Sequence, residues 1–329
     1  MTNNFEYHCQ EPRAKSQEPR AKSQEPRAKS QEPASALKIL IPYHKPYTFP
    51  PLDDGIFLPI QVSKATSRID LHIQGDNEVN GQPCDNISTK NEYYAELTAE
   101  YWAWKNLKTL YPDVKYIGLC HYRRFLALHE NIAFCEAIPK PESFLEDFRY
   151  NPQEIIDILE SGRIIVPKRL NFPYSAGAQY CISCVSDDYR ALKEVLRVDF
   201  PDYYDAFIDV MERNNKMSFK LIHIMKWEDF DQWCRFVFAV MDILETKIPY
   251  QNYRGTIQSR VFAYLAERLF YVWQVKNRKQ RKSCAIYMCD NNAVEHNNHV
   301  RFLHRLFNYA RFEVSSCFAL WPRRLSRNK

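Results

Sequence analysis

Glycine is scarce, with seven in 329 residues. Those seven form neither a GxGxxG fingerprint nor a Walker loop, so the two commonest glycine-built phosphate cradles are excluded. No run approaches the ~20 apolar residues a membrane-crossing helix needs. Residues 1–36 are polar and carry no apolar signal-peptide core. The ten cysteines are therefore expected as reduced thiols of a cytosolic chain. A nucleophile elbow for Ser/His/Asp chemistry is missing. Cys181 and Cys184 form a lone CxxC, which packing explains better than redox chemistry. Cys284, Cys289, His296 and His299 lie too close together for a usual zinc finger. Asp229-Phe-Asp231 reads Asp-x-Asp but opens a long helical pattern, where acids favour the dipole, so it is read as structural.

What is present is ordinary globular composition, 45% hydrophobic and 26% charged, with aromatics high at 14%. The aromatics suit a large core first and flat-ligand stacking second. The net charge of +5 is uneven. Residues 276–329 hold 12 basic and 3 acidic residues, a net of +9, which leaves −4 for the rest. Within that end, Phe302, Leu306, Tyr309 and Phe312 share helical spacing, with Arg301, Arg305 and Arg311 around them. A basic amphipathic stretch suits an anionic membrane surface, with a docked helix or nucleic-acid binding as the alternatives. No module motif for single-strand stacking supports nucleic acid.

Residues 10–33 read "QEPRAKSQEPRAKSQEPRAKSQEP". The unit lacks the two apolar positions per heptad of a coiled coil, and its proline opposes a helix. It is expected to be a disordered tail. One encoding of Ser-Gln-Glu-Pro-Arg-Ala-Lys is the string AGCCAAG written three times over. Losing one copy shifts the reading frame, so the tail is expected as the trace of a slippage-prone on/off switch. Bacterial genes for variable surface structures often carry such switches.

The folded part opens with "LKILIPYHK", a buried first strand. "KYIGLCHYRRF" reads as a second buried strand running into a basic turn, and "GRIIVPKRL" as a third. Residues 90–107 form a helical pattern. So do "DYRALKEVLRV" and "PDYYDAF", separated at Pro201, and two longer segments, "WEDFDQWCRFVFAVMDILETKI" and "TIQSRVFAYLAERLFYVWQVKN". Strands alternating with helices predict an α/β layered fold. Ligands of such sheets sit beyond the C-terminal strand ends. That draws attention to "PYHK" after the first strand and to His121, Tyr122, Arg123 and Arg124 after the second. Arginine forks match phosphate oxygens, and a solvated basic turn is the alternative. A polar loop, residues 71–88, carries Asp76, Asn77, Asp85 and Asn86 beside Gly75 and Gly81. These side chains suit a sugar, a metal or simply turns, and composition does not choose.

"ILIPYHKP", "FLPIQVSKA", "YAELTAEYWAWKNL", "YIGLCHYRRF", "IMKWEDFDQWCRFVF" and "QSRVFAYLAERLFYVW" follow one another in that order. Over roughly residues 37 to 277 the chain resembles the DUF4422 family of bacterial capsule, lipopolysaccharide and exopolysaccharide glycosyltransferases. The resemblance implies a GT-A-like α/β fold, a mixed sheet flanked by helices. A disordered tail over 1–36, a transferase domain over 37–290 and a basic segment over 291–329 are expected, the tail and the basic end lying outside the resemblance. The resemblance also implies transfer of a hexosyl group from a nucleoside-diphosphate sugar, UDP-linked, to a lipid-linked or growing glycan. The location expected is the cytoplasmic face of the inner membrane, held peripherally by the basic end. Donor-binding residues implied are Tyr43, His44, Lys45, Asp76, Asn77, Asn86, Lys90, Asn91, His121, Tyr122, Arg123 and Arg124. Asp85 and Glu267 are the catalytic candidates, with a helix-surface ion pair as the plainer account of Glu267. Many GT-A enzymes have Asp-x-Asp where this chain has His121-Tyr122-Arg123-Arg124. Either arginines replace a divalent metal, or Asp76 and Asp85 ligate one. A non-catalytic scaffold of the same fold in a polysaccharide assembly complex is the alternative function.

Overall fold

The computed structural model describes residues 36–46, 55–128, 150–218 and 220–288, with Leu303, Leu306, Phe307 and Ala310. The repeat tail, Cys289, His296, His299 and most of 291–329 lie outside the described residues.

The first strands are β1 (Leu37–Tyr43), β2 (Phe57–Gln61), β3 (Gln74–Gly75), β4 (Glu78–Val79), β5 (Gln82–Pro83), β6 (Tyr116–Leu119) and β7 (Arg124–Ala127). Later come β8 (Arg163–Pro167), β9 (Leu170–Asn171), β10 (Lys216–Met217), β11 (His223–Lys226) and β12 (Gln280–Met288). Among the described residues the main sheet has eight strands in the order β3-β2-β1-β6-β11-β8-β12-β7. β1 pairs in parallel with β2 and β6. β11 runs antiparallel to β6 and β8, and β12 is parallel to β8 and antiparallel to β7. The sheet is therefore mixed, as expected.

β1 is buried at every position, because helices or loops cover both faces of the sheet centre. Leu40 enters one core, while Ile39 and Ile41 enter the other, the period-two alternation of a strand. The larger core holds Trp102, Trp233 and Trp273. In β6, a Cβ on Gly118 would lie 3.1 Å from the His223 carbonyl oxygen and 3.0 Å from Ile224 Cγ1. Glycine there lets β11 pack closely against β6.

The helices are α1 (Asn91–Tyr94), α2 (Leu97–Leu110), α3 (Pro152–Glu160), α4 (Ala176–Ser183), α5 (Ser186–Val198), α6 (Pro201–Phe207), α7 (Trp227–Lys247), α8 (Thr256–Ser259) and α9 (Val261–Lys276). Pro201 opens α6 at the position where a missing N–H costs nothing. In α7, Asp229 binds Lys279 at 2.5 Å, while Asp231 accepts from Trp104 and Arg235, both at 2.8 Å. That Asp-x-Asp ties elements together, as its helical position implied. Cys181 and Cys184 are free thiols. No described helix is long and apolar enough to cross a membrane. Leu303, Leu306 and Phe307 are helical and exposed.

Candidate functional site

Three parallel strands end at one edge of the sheet. His44 follows β1, Val62 and Ser63 follow β2, and His121 follows β6. β11 runs the other way, with His223 opposite Leu119, so the residues that precede it reach the same edge. Lys220 arrives by this route. α1 and α2 contribute Asn91 and Glu96, and α9 with the residues before it contributes Arg260, Tyr264 and Glu267. Arg260, Ala263, Tyr264 and Glu267 recur at helical spacing and so share one face. Together these elements enclose a cavity of about 960 Å³.

The basic turn is tight. His121 N–H donates to the Arg124 carbonyl at 3.0 Å, and Arg124 N–H donates back at 2.9 Å. Tyr122 and Arg123 therefore occupy the tip. The Tyr122 ring meets His44 edge-on at 5.3 Å and lies 6.0 Å from the Tyr43 ring. Lys45 and Arg123 sit over it at 5.8 and 5.5 Å. The ends of β1 and β6 are thus locked by one aromatic ring.

Like charges crowd this wall. Burial and then Arg123 push the Arg124 guanidinium down from its ordinary pKa. Burial, Arg124 and Arg123 bring Lys220 down to about 8, against a smaller upward pull from Glu267. Burial lowers His44, with Lys45, Arg260 and Arg123 adding to it. Lys220 also has positive φ, +72°, in a region non-glycine residues seldom adopt. Its own N–H donates to Glu267 Oε1 at 3.1 Å.

Two carboxylates face these cations. Glu96 lies 3.3 Å from His121 Nε2, and His121 Nδ1 accepts from Arg124 Nη1 at 3.4 Å. A guanidinium has only donors, so the ring proton sits on Nε2, facing Glu96. Burial would raise Glu96, but the facing His121 outweighs it and holds the carboxyl below its ordinary range. Glu267 is raised, by burial first, while Arg268 pulls the other way from 2.8 Å.

The structure brings His44, Asn91, His121, Tyr122, Arg123, Arg124 and Glu267 to the cavity, with Tyr43 and Lys45 behind the ring of Tyr122. The other residues singled out in the sequence take positions elsewhere. Asp76 is fully buried and accepts from Ser63 N–H, Lys64 N–H and the Ser88 hydroxyl. Asp85 is exposed and accepts from the Tyr101 hydroxyl at 3.1 Å. Both acids thus have protein partners, those of Asp76 within its loop region and that of Asp85 on the helix that carries Tyr101. Asn86 accepts from Ser88 N–H at 3.0 Å, a turn-forming bond. Asn77 is another loop residue, with a buried Oδ1. Lys90 is bound to Glu245 at 2.8 Å.

Lys220, Arg260 and Glu96 carry no signal in a reading confined to the C-terminal ends of strands. Lys220 precedes an antiparallel strand, and the other two lie at helix starts. Among the described residues no group of three His, Cys, Asp or Glu side chains is arranged to hold a metal ion. The cavity's buried carboxylates are already engaged by His121, Arg268 and a backbone N–H.

A family model described as "Domain of unknown function (DUF4422)" matches residues 38–279. No curated protein matches the chain. Among solved structures, the apo WbbM bifunctional glycosyltransferase is similar with a TM-score of 0.68 and 26% identity. The likeness covers 80% of this chain and 47% of that one, so the chain spans about half the length of the protein it matches. The mixed α/β fold is shared with that glycosyltransferase. With the family model running from β1 to the loop before β12, the chain belongs to the DUF4422 family.

Proposed function

We propose that the chain transfers a hexosyl group from a nucleoside-diphosphate sugar, UDP-linked, to a lipid-linked or growing surface glycan. The observation that carries this reading is the crowding of cations in the cavity. Arg123, Arg124, Lys220 and Arg260 line one space, and burial first, then neighbouring cations, depress Arg124, Lys220 and His44 together. Such repulsion is unfavourable in a half-buried cavity unless an anion relieves it. A diphosphate supplies that anion, and arginine forks match its oxygens. The likeness to the WbbM bifunctional glycosyltransferase supports the same reading.

In the step, the bond between sugar C1 and the diphosphate oxygen breaks, and its electron pair stays on the departing oxygen. The acceptor hydroxyl oxygen bonds C1, and its proton passes to Glu267. A carboxyl raised by burial takes up a proton more readily than one held low. Preorganised cations stabilise the charge that develops on the leaving group. Membrane attachment belongs to the same reading. Exposed Leu303, Leu306 and Phe307, among the basic residues of the C-terminal end, suit the anionic cytoplasmic face of the inner membrane. The repeat tail would make the glycan phase-variable.

The test is turnover of a panel of nucleotide sugars, read as released nucleoside diphosphate with and without oligosaccharide acceptors. Release from a UDP-hexose, stimulated by an acceptor, is expected. Nucleotide binding without turnover would favour the scaffold, and no nucleotide binding at all would sink the reading.

A further inference from the structure

GT-A folds commonly neutralise the leaving diphosphate with a divalent cation held by acidic side chains. The side chains of this cavity have the opposite character. The turn after β6, where such acids are expected, presents Arg123 and Arg124. Lys220 reaches the same wall from the antiparallel strand, and Arg260 from the start of α9. Neither Lys220 nor Arg260 has a carboxylate at ion-pair distance among the described residues. The buried acids of the cavity are committed to protein partners, Glu96 to His121 and Glu267 to Arg268 and the Lys220 N–H. Asp76 and Asp85, the other acids considered as ligands, are held by Ser63, Lys64, Ser88 and Tyr101.

A divalent cation placed here would meet four like charges against one uncommitted carboxylate, that of exposed Glu92. A diphosphate placed here would meet the same four as partners. The donor set therefore fits the anion and does not fit the metal.

We infer that Lys220 and Arg260, acting with Arg123 and Arg124, neutralise the departing diphosphate in place of a divalent cation. This inference rests on the nucleotide-sugar reading above. As the bond to C1 breaks, negative charge grows on the diphosphate oxygens. The guanidiniums and the ammonium are already in place, so no metal has to be recruited with each donor. Tying the Lys220 backbone to Glu267 and folding it at positive φ fixes the point from which the ammonium reaches the cavity.

The experiment is calorimetric titration of the full chain with UDP and with pyrophosphate, in excess chelator and again in manganese or magnesium. The inference expects the same affinity with chelator and with metal. It expects Lys220→Met and Arg260→Met each to weaken UDP about tenfold to a hundredfold, the range a charge-assisted hydrogen bond accounts for. Lys220→Arg should keep most of the affinity. Circular dichroism and thermal unfolding separate lost binding from lost folding, and a variant that fails to fold leaves Lys220→Arg and the chelator arm to decide. Binding that appears only with the metal overturns the inference and leaves the nucleotide-sugar reading standing. Metal-independent binding unchanged in both Met variants also overturns it. Absence of binding by UDP and pyrophosphate under every condition removes the underlying reading, and the inference with it.

Discussion

Glu96 lies 3.3 Å from His121 at the cavity wall. One helical turn further, Glu100 lies 3.4 Å from His223 in the interior. The two pairs have the same chemistry, stand on the same helix and face neighbouring strands. Their protonation differs. Glu96 is held low, because His121 and the cavity favour its charge. Glu100 is pushed up to about 8, by burial first and by the Glu96 charge last, against the Trp233 indole N–H that donates to it at 3.1 Å. His223 is pushed down to about 3 by burial alone. Glu100 sits in the first turn of α2, where the dipole favours an anion by at most about 2 kcal/mol. Complete removal from water outweighs that. Identical side chains are thus a charged part of a cavity wall or a neutral part of a core, and access to solvent and cations decides which.

The strongest way to break the interior pair is Glu100→Ala. It leaves the Trp233 indole N–H without its acceptor and opens a void beside it. An orphaned buried donor and an unfilled void together cost about 3 kcal/mol. Urea unfolding should show that loss. The matching Glu96→Ala, beside a water-accessible cavity, should stay within about 1 kcal/mol. Equal losses at the two sites would erase the distinction.

The pairs should also respond to pH in opposite senses. Glu100 has a folded pKa above its ordinary 4.5, so its contribution is full below that value and is lost as pH rises towards about 8. His223 has a folded pKa below its ordinary 6.5, so its contribution grows from about pH 3 to 6.5. Between 4.5 and 6.5 the slopes cancel. Above 6.5 only the Glu100 slope remains, and over 1.5 pH units it amounts to about 2 kcal/mol. Glu96, held low, contributes stability present above its unfolded value and lost as pH falls through its folded one. Denaturant midpoints should fall between pH 6.5 and 8. A stability that keeps rising from pH 6.5 to 8 contradicts this assignment.

At the cavity the comparison is sharpened through activity. Glu96→Gln removes the charge facing His121 while keeping its shape. Arg124 donates to the same imidazole, so its position at the cavity wall loosens. Turnover should fall about tenfold, equivalent to ~1.4 kcal/mol of barrier, with stability nearly unchanged. A structural role would instead lower the unfolding midpoint and leave kcat alone.

The sequence made the charged wall partly legible and the buried pair not at all. "KYIGLCHYRRF" showed a buried strand stopping at a basic turn, and β6 with its turn is built that way. Long periodic segments gave α2, α7 and α9 for the same reason: many apolar positions agree on one face. β11 has only four residues, with polar His223 and Lys226 at its ends, so nothing marked it as a strand. Without β11 there was no antiparallel route to bring Lys220 to the site, or His223 beside Glu100. β12 was hidden by the lysines and arginines of "KNRKQRK", although Cys284 and Tyr287 within it are buried. The polar loop misled in the other direction. Short polar side chains that serve turns and those that serve ligands are the same residue types, and only their partners tell them apart.

The smallest expected effect is the one that tells where the interior proton sits. Between pH 4.5 and 6.5 the Glu100–His223 pair holds one proton, whether Glu100 is neutral or His223 is charged. The pH curve of stability is the same in both cases, since it counts protons and does not locate them. Glu100→Gln separates the two. If Glu100 is neutral, glutamine reproduces it, with an oxygen to accept from Trp233 and an NH₂ to donate towards His223. The cost at pH 5 is then under about 1 kcal/mol, comparable to a well-fitted polar exchange. The fall above pH 6.5 vanishes, because the variant has no proton to lose there. If instead a charged pair is buried, glutamine strands an imidazolium, and the loss is about 3–5 kcal/mol. Burial drives both groups towards neutrality, Glu100 upward and His223 downward, so the first outcome is expected. The second would mean that the core tolerates the same ion pair as the cavity, and the contrast along α2 would reduce to depth alone.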